Sequence, residues 1–258
     1  MAPLDWMDVS ELSFNSLLLL ERVQLRWLPR WVPERELGIA LCANPVVAWY
    51  FAHKCPEIAD WVDRLAREAP TARDPRAAEV EVMRRINDLL VYVVDPSVYD
   101  ERPFLGWDSR ELTDLADFAG ATVLDVGSGT GRLALVAAAA AAAVFAVEPV
   151  GNLRRYLLDR AHGLGLTNVY PVDGLVTAIP FPDGFADVTM GGHVFGDDPQ
   201  DEVREVLRVT RPGGIVIACP GNGDVENETH RVFLDHGFEW ATFEEPGDGT
   251  KRKYWRRS

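Results

Sequence analysis

Val123-Leu124-Asp125-Val126-Gly127-Ser128-Gly129-Thr130-Gly131 is the stretch that decides how the rest of the chain is read. The run from Ala121 to Val126 has the length and β-rich composition of a buried strand, and three glycines follow at once, where a missing Cβ permits positive φ and close approach to backbone. An alanine-rich segment through Ala143 reads as a helix, and Val144 to Glu148 as a second strand that ends in an acid. The unit is strand, turn, helix, strand. Backbone amides at the start of the helix then face the crevice at the carboxyl end of the first strand.

The spacing of the glycines excludes two common nucleotide motifs. A dinucleotide fingerprint needs its third glycine at position 132, which is Arg132, and a P-loop needs a lysine after its glycines, which is missing. What remains is G-x-G-x-G, with Asp125 two residues ahead and Glu148 seventeen residues past Gly131. A carboxylate at the tip of the second strand can accept two hydrogen bonds from a ribose diol, each contributing about 1.5–3 kcal/mol.

With these residues in this order, the chain resembles the class I, Rossmann-like S-adenosylmethionine (SAM)-dependent methyltransferases, and further matches run to about Pro220. The resemblance implies an α/β fold. Its expected form is a Rossmann-like doubly wound seven-stranded sheet with the last strand antiparallel, preceded by an N-terminal all-helical lid or accessory domain. The expected division is residues 1–107 for the helical lid, substrate domain and linker, and 108–258 for the SAM-binding domain. The resemblance also assigns cofactor contacts to Asp125, Gly127, Ser128, Gly129 and Gly131 of the turn, to Glu148 at the ribose, and to Gly192 beside the methionine part.

One position departs from the family. At the end of the third strand (168–172), Gly174 falls on the family's glycine and Leu175 on the acid that accepts the adenine amino group, while Asp173 lies two residues early. Either Asp173 swings in, or adenine is held by backbone amides and by Leu175, Val176 and Ile179. The second arrangement is the expectation. Tyr99 and Trp107 precede the first strand, in a segment that closes over the cofactor in the resembling family.

The formal net charge is −14. That field repels phosphate polymers at long range, so nucleic acid is disfavoured as substrate and a small molecule favoured. Cys42, Cys55 and Cys219 form no C-x-x-C pair and suggest reduced thiols, serving as packing residues, in a cytoplasmic protein. The start lacks the pattern of a signal peptide, and no apolar run reaches the ~20 residues of a membrane span. No cluster has metal-ligand spacing, so no metal is expected.

In the front third, Asp8 and Glu11 predict a capped helix reaching Leu28 and stopped by Pro29 and Pro33. Further helices are expected over 34–41, from Pro45, over 56–68 and from Asp74-Pro75 to about Val94. Residues 95–107 read as a linker, and 109–118 as a helix capped by Asp108 and Glu111. Six of the eight tryptophans lie in residues 1–107 and read as core of a small helical cluster, with Trp49 to Lys54 as the group that would face substrate. After the third strand, strands are expected over 186–190, 215–219, 238–244 and 250–256, and helices over 199–209 and 224–236.

Methyl transfer from a sulfonium is an in-line displacement whose main demand is alignment. A base is needed only where the acceptor holds its proton tightly. His193, just past the fourth strand, is the titratable residue placed to serve, with Asp197, Asp198 and Asn222 as weaker alternatives. The reading is a SAM-dependent methyltransferase acting on a small apolar or aromatic acceptor, with S-adenosylhomocysteine as product. Other readings stay open: methylation of protein or RNA, aminopropyl transfer, and a SAM-binding sensor or partner subunit without catalysis.

Overall fold

The computed structural model describes residues 6–70 and 74–258. They form two compact units, Met1–Asp100 and Glu101–Ser258. Residues 101–107 therefore belong with the second unit.

The first unit is helical: α1 (Arg22–Trp31), α2 (Glu34–Ala43), α3 (Pro45–Lys54), α4 (Ala59–Glu68), α5 (Arg76–Arg85), α6 (Asn87–Val94) and α7 (Pro96–Asp100), with 3-10 turns at Phe14–Leu19 and Pro56–Ile58. The expected first helix is divided. Asp8 closes a local turn onto the Ser10 amide instead of capping a helix, and the reciprocal cap forms between Glu21 and Gln24 at the start of α1. Pro29 lies inside α1, which ends at Trp31. The expected long helix from Asp74-Pro75 breaks at Ile86, and the expected linker contains α7 and a further 3-10 turn at Pro103–Gly106.

The tryptophans do not supply this unit's core. Phe14, Leu17, Leu20, Leu25, Leu28, Leu37, Leu41, Phe51, Met83 and Ile86 are the largest fully buried side chains, while Trp31 and Trp49 are exposed and Trp6, Trp27 and Trp61 half-buried. A closely packed helical pair has no room for an indole at its centre. At Gly38 of α2 a Cβ would lie 2.6 Å from the Leu65 carbonyl oxygen of α4, so these helices meet backbone to backbone. Trp49 stacks on His53 along α3, and Tyr50 donates to the Leu20 carbonyl. Tyr99 packs against Trp6 and Tyr92.

The second unit holds α8 (Arg110–Thr113), β1 (Thr122–Val126), α9 (Arg132–Ala138), β2 (Ala143–Val147), α10 (Gly151–Gly163), β3 (Val169–Val172), β4 (Ala186–Gly191), α11 (Pro199–Val209), β5 (Thr210–Gly223), α12 (Glu228–Asp235), β6 (Glu239–Glu245) and β7 (Gly249–Arg257). The sheet order is β3-β2-β1-β4-β5-β7-β6. Pairs among β1 to β5 are parallel, and β7 runs antiparallel between β5 and β6. This is a seven-stranded Rossmann-like sheet whose order reverses between β1 and β4, the switch point at which such sheets bind ligands. Apolar residues cover both faces: Val123, Ala137, Leu157, Val188 and Ile217 lie in one layer, Leu124, Val206, Val216 and Phe233 in the other.

The alanine run does not stay helical. Ala137 and Ala138 end α9, residues 139–142 turn, and Ala143 opens β2. Helix propensity is overridden by the pairing of β2 with β1. The turn's carbonyls find donors elsewhere, for the Asn168 side-chain amide bonds to both Ala138 and Ala141 and the Gly120 amide bonds to Ala140. The expected helix over 109–118 is reduced to α8, where Asp108 bonds to the Arg110 amide and guanidinium.

Candidate active site

The glycine turn is built for crowding on one side and openness on the other. Gly127, Gly129 and Gly131 all have positive φ, 65°, 53° and 95°. A Cβ on Gly131 would lie 2.1 Å from a buried Leu157 methyl, and one on Gly127 would lie 2.4 Å from Val194. At Gly129 the nearest atom would be 4.0 Å away. The turn is therefore packed against α10 at Gly131 and against the loop after β4 at Gly127, and faces open space only at Gly129.

Expected amides of this turn are mostly spoken for. Gly127 and Ser128 donate to the Val147 carbonyl, and Gly131 donates to Ser128. Gly129 donates to Glu148 Oε2 at 3.0 Å, while Glu148 Oε1 accepts from the Val150 amide at 2.9 Å. Glu148 thus joins the tip of β2 to the middle of the turn. A carboxylate oxygen can accept more than one bond, so these contacts orient the group as well as occupy it. The Ser128 and Thr130 hydroxyls of the same turn are buried with no hydrogen-bond partner.

Asp125 sits beneath the turn, 1% exposed, and accepts from the Ala134 amide at 2.8 Å. It ties β1 to the first turn of α9. Burial pushes its carboxyl up to about 8, against the opposing effect of the Ala134 bond and with the nearby Glu148 charge adding to it. Asp125 is accordingly neutral at pH 7 and acts as a strut under the turn.

At the end of β3, Gly174 is wedged: a Cβ there would lie 2.7 Å from Pro180 and 2.8 Å from Val147. Leu175 bridges to Ala178 across a tight turn. Asp173 is turned outward, with its carboxylate 3.2 Å from Arg154, whose guanidinium also bonds to the Glu148 carbonyl. Leu175, Val176 and Ile179 follow at this end of the sheet, Ile179 buried and the other two half-buried.

On the other side of the switch point the loop after β4 is held from three directions. Gly191 and Gly192 are flanked too closely for any side chain, by the Val126 and Cys219 carbonyls respectively. Val194 packs on Gly127. The Glu202 carboxylate, buried in α11, accepts from the amides of Gly196, Asp197 and Asp198. Burial raises the Glu202 carboxyl above its ordinary range, and the three amide bonds oppose that rise. Asp197 and Asp198 are engaged here by their backbone.

His193 is the described non-glycine residue with positive φ, 57°. Such a conformation costs roughly 1–2 kcal/mol and is maintained only by its surroundings. Its amide donates to the Pro220 carbonyl at 2.9 Å, and its Nε2 lies 2.8 Å from Glu245 Oε1 at the end of β6. Phe104 meets the imidazole edge-on at 5.3 Å. Glu245 has no signal in the sequence. Only the β6–β7 hairpin brings it to residue 193, and an acid ahead of a Pro-Gly-Asp-Gly turn reads as an ordinary strand end.

Trp107 is core. It is 3% exposed, meets Phe243 edge-on and lies under the Arg132 guanidinium, 4.6 Å from the ring centroid. Arg132 also bonds to the Leu105 and Trp107 carbonyls, strapping the 3-10 turn to α9. Phe104, not Trp107, is the aromatic that this segment sends to His193. Tyr99 belongs to the first unit. Cys55 and Cys219 are buried free thiols, Cys42 is an exposed one, and burial pushes Cys219 up to about 12. Among the described residues no group of acids, histidines and cysteines could hold a metal, and no helix is long and apolar enough to cross a membrane.

Residues 124–218 match the family model of the methyltransferase domain. This segment, from β1 to the middle of β5, is similar to methyltransferase domains. An uncharacterized methyltransferase of Mycobacterium marinum is 37% identical over 101 residues, which are 38% of this chain and 38% of that protein. A counterpart in Mycobacterium ulcerans is 36% identical over the same extent. The chain thus matches 38% of the length of these relatives. Among solved structures, a SAM-dependent methyltransferase from Aquifex aeolicus is 22% identical, covering 62% of this chain and 97% of its own, with a TM-score of 0.45.

Proposed function

We propose that this protein is a SAM-dependent methyltransferase acting on a small apolar or aromatic acceptor. The observation that carries the reading is the joined pair at the switch point: a glycine turn open at Gly129, with the Glu148 carboxylate fixed beside it by the Gly129 amide. The residues present fit a sulfonium nucleoside. Glu148 is placed for the ribose, Leu175, Val176 and Ile179 for the adenine, and the two unpartnered hydroxyls of Ser128 and Thr130 offer bonding capacity in the turn. When bound, SAM supplies an activated methyl group, and the chain's own contribution is to align the acceptor and exclude water. Gly192 and His193 line the approach at the end of β4. The helical first unit is proposed as the lid that selects the acceptor, and the free thiols fit a reducing, cytoplasmic setting.

Calorimetry with SAM, S-adenosylhomocysteine, NAD and ATP tests the cofactor. Micromolar binding of the first two and none of the others is expected, and the reverse overturns the reading. Methyl-labelled SAM added with whole-cell extract then tests the reaction. Label in a small molecule supports the assignment, label in protein or RNA shifts it to a macromolecular substrate, and tight SAM binding without S-adenosylhomocysteine release identifies a sensor.

A further inference from the structure

The bond between His193 and Glu245 joins a strained residue at the switch point to a carboxylate on the far hairpin. The Glu245 side chain is 0% exposed and that of His193 31% exposed, so the pair has a buried end and an accessible end. Glu245 Oε1 holds the imidazole Nε2 at 2.8 Å. Its other oxygen has no hydrogen-bond partner and faces Lys251 of β7 at 3.5 Å, and Lys251 is in turn bonded to Asp248. Phe104 closes one side of the ring. A carboxylate at Nε2 selects the tautomer that carries its proton there, which leaves the lone pair on Nδ1.

We propose that His193 is the proton acceptor of the reaction and Glu245 its positioning residue, so that the acceptor is a small molecule whose attacking oxygen or nitrogen carries a proton. Alcohols, phenols and N–H compounds belong to this class. The inference rests on the methyltransferase reading for its substrate, but not for its geometry. In the step, a lone pair of the acceptor atom forms the new bond to the methyl carbon while the carbon–sulfur bond breaks and its pair returns to sulfur. The acceptor's proton passes to His193 Nδ1, and Glu245 faces the imidazolium so formed. No oxidant, reductant or metal enters the balance.

Nitrogen-15 NMR of the histidine-labelled full chain tests this, with the His193 signals assigned by their loss in His193→Gln. The neutral ring should carry its proton on Nε2. Its ionisation constant should shift about tenfold toward the neutral form in Glu245→Gln and return in Glu245→Asp. Saturating S-adenosylhomocysteine should move its signals. A proton on Nδ1, a constant unmoved in Glu245→Gln, or signals unmoved while calorimetry shows the compound bound would each overturn the proposal. Should Glu245→Gln not fold, Lys251→Met serves in its place: removing that cation should favour the charged ring, and a shift the other way, or none, overturns the pairing. If calorimetry shows no binding at all, the methyltransferase reading fails, while the tautomer and the variant shift still decide the pair. In the product from extract, the new methyl must sit on an oxygen or nitrogen that lost a proton. A sulfonium or quaternary ammonium product sinks the substrate class.

Discussion

The two sides of the switch point are built by different means. On the β1–β2 side the shaping is done by glycines and backbone amides that Asp125 and Glu148, neighbours in one strand-turn-helix-strand unit, tie together. On the β4–β6 side it is done by side chains brought from separate elements: Glu202 of α11, Glu245 of β6 and Phe104 of the segment before β1. The first arrangement is local and writes itself into a motif. The second exists only once the antiparallel hairpin has closed.

Substitutions sharpen this contrast in order of size. On the β1–β2 side, Gly131→Ala combines positive φ with a methyl 2.1 Å from Leu157 and should destabilise by about 2–4 kcal/mol in denaturant unfolding. On the other side, Glu202→Ala leaves three amides of the loop without their acceptor and should cost about 2–3 kcal/mol, with less loss if the loop can open to water. Glu148→Ala should weaken S-adenosylhomocysteine binding tenfold or more, equivalent to about 1.4–3 kcal/mol by calorimetry. Unchanged affinity in that variant would remove the ribose assignment and leave Glu148 as a brace for Gly129.

Two smaller effects probe finer distinctions. Gly129→Ala adds its methyl to open space, so it should cost only about 1 kcal/mol of stability through its positive φ, yet reduce ligand affinity. Unchanged affinity would mean that the open side of the turn is not where the ligand lies. Asp125, with its carboxyl raised to about 8 in the fold, contributes stability that is complete below its unfolded value, is lost progressively as pH rises from about 4, and is gone above 8. Asp125→Asn, which keeps an acceptor for Ala134 without the charge, should therefore gain on the parent by about 1.4 kcal/mol per pH unit between pH 5 and 7, and the gain should level off above pH 8. Parallel stability curves for the two proteins between pH 4 and 8 would contradict a neutral, buried Asp125.

The parts of the fold legible in the sequence are those set by local chemistry. The seven strands and α11, with its Pro199 start, follow from apolar runs and breakers, and the antiparallel end from the family resemblance. What failed did so where neighbours outvoted propensity. The alanine run turns at 139 because β2 must begin, α1 carries Pro29 within its last turn, and the tryptophans of the helical unit stay off its core because closely packed helices leave no space for them. In the site, the glycines and Glu148 were visible by spacing, but the bond between them was not. The partner of His193 was hidden for a plainer reason, because fifty-two residues separate it from Glu245 and no periodicity links them.

The clamp that Arg132 places on the Leu105 and Trp107 carbonyls bears on how the sheet unit should be cut for separate expression. A fragment begun at residue 108 would strip a half-buried cation of both acceptors and of the indole beneath it, at the base of the very helix that follows the glycines. Started at residue 101, the same unit keeps that anchor, and the seven additional residues would separate a foldable fragment from an aggregating one.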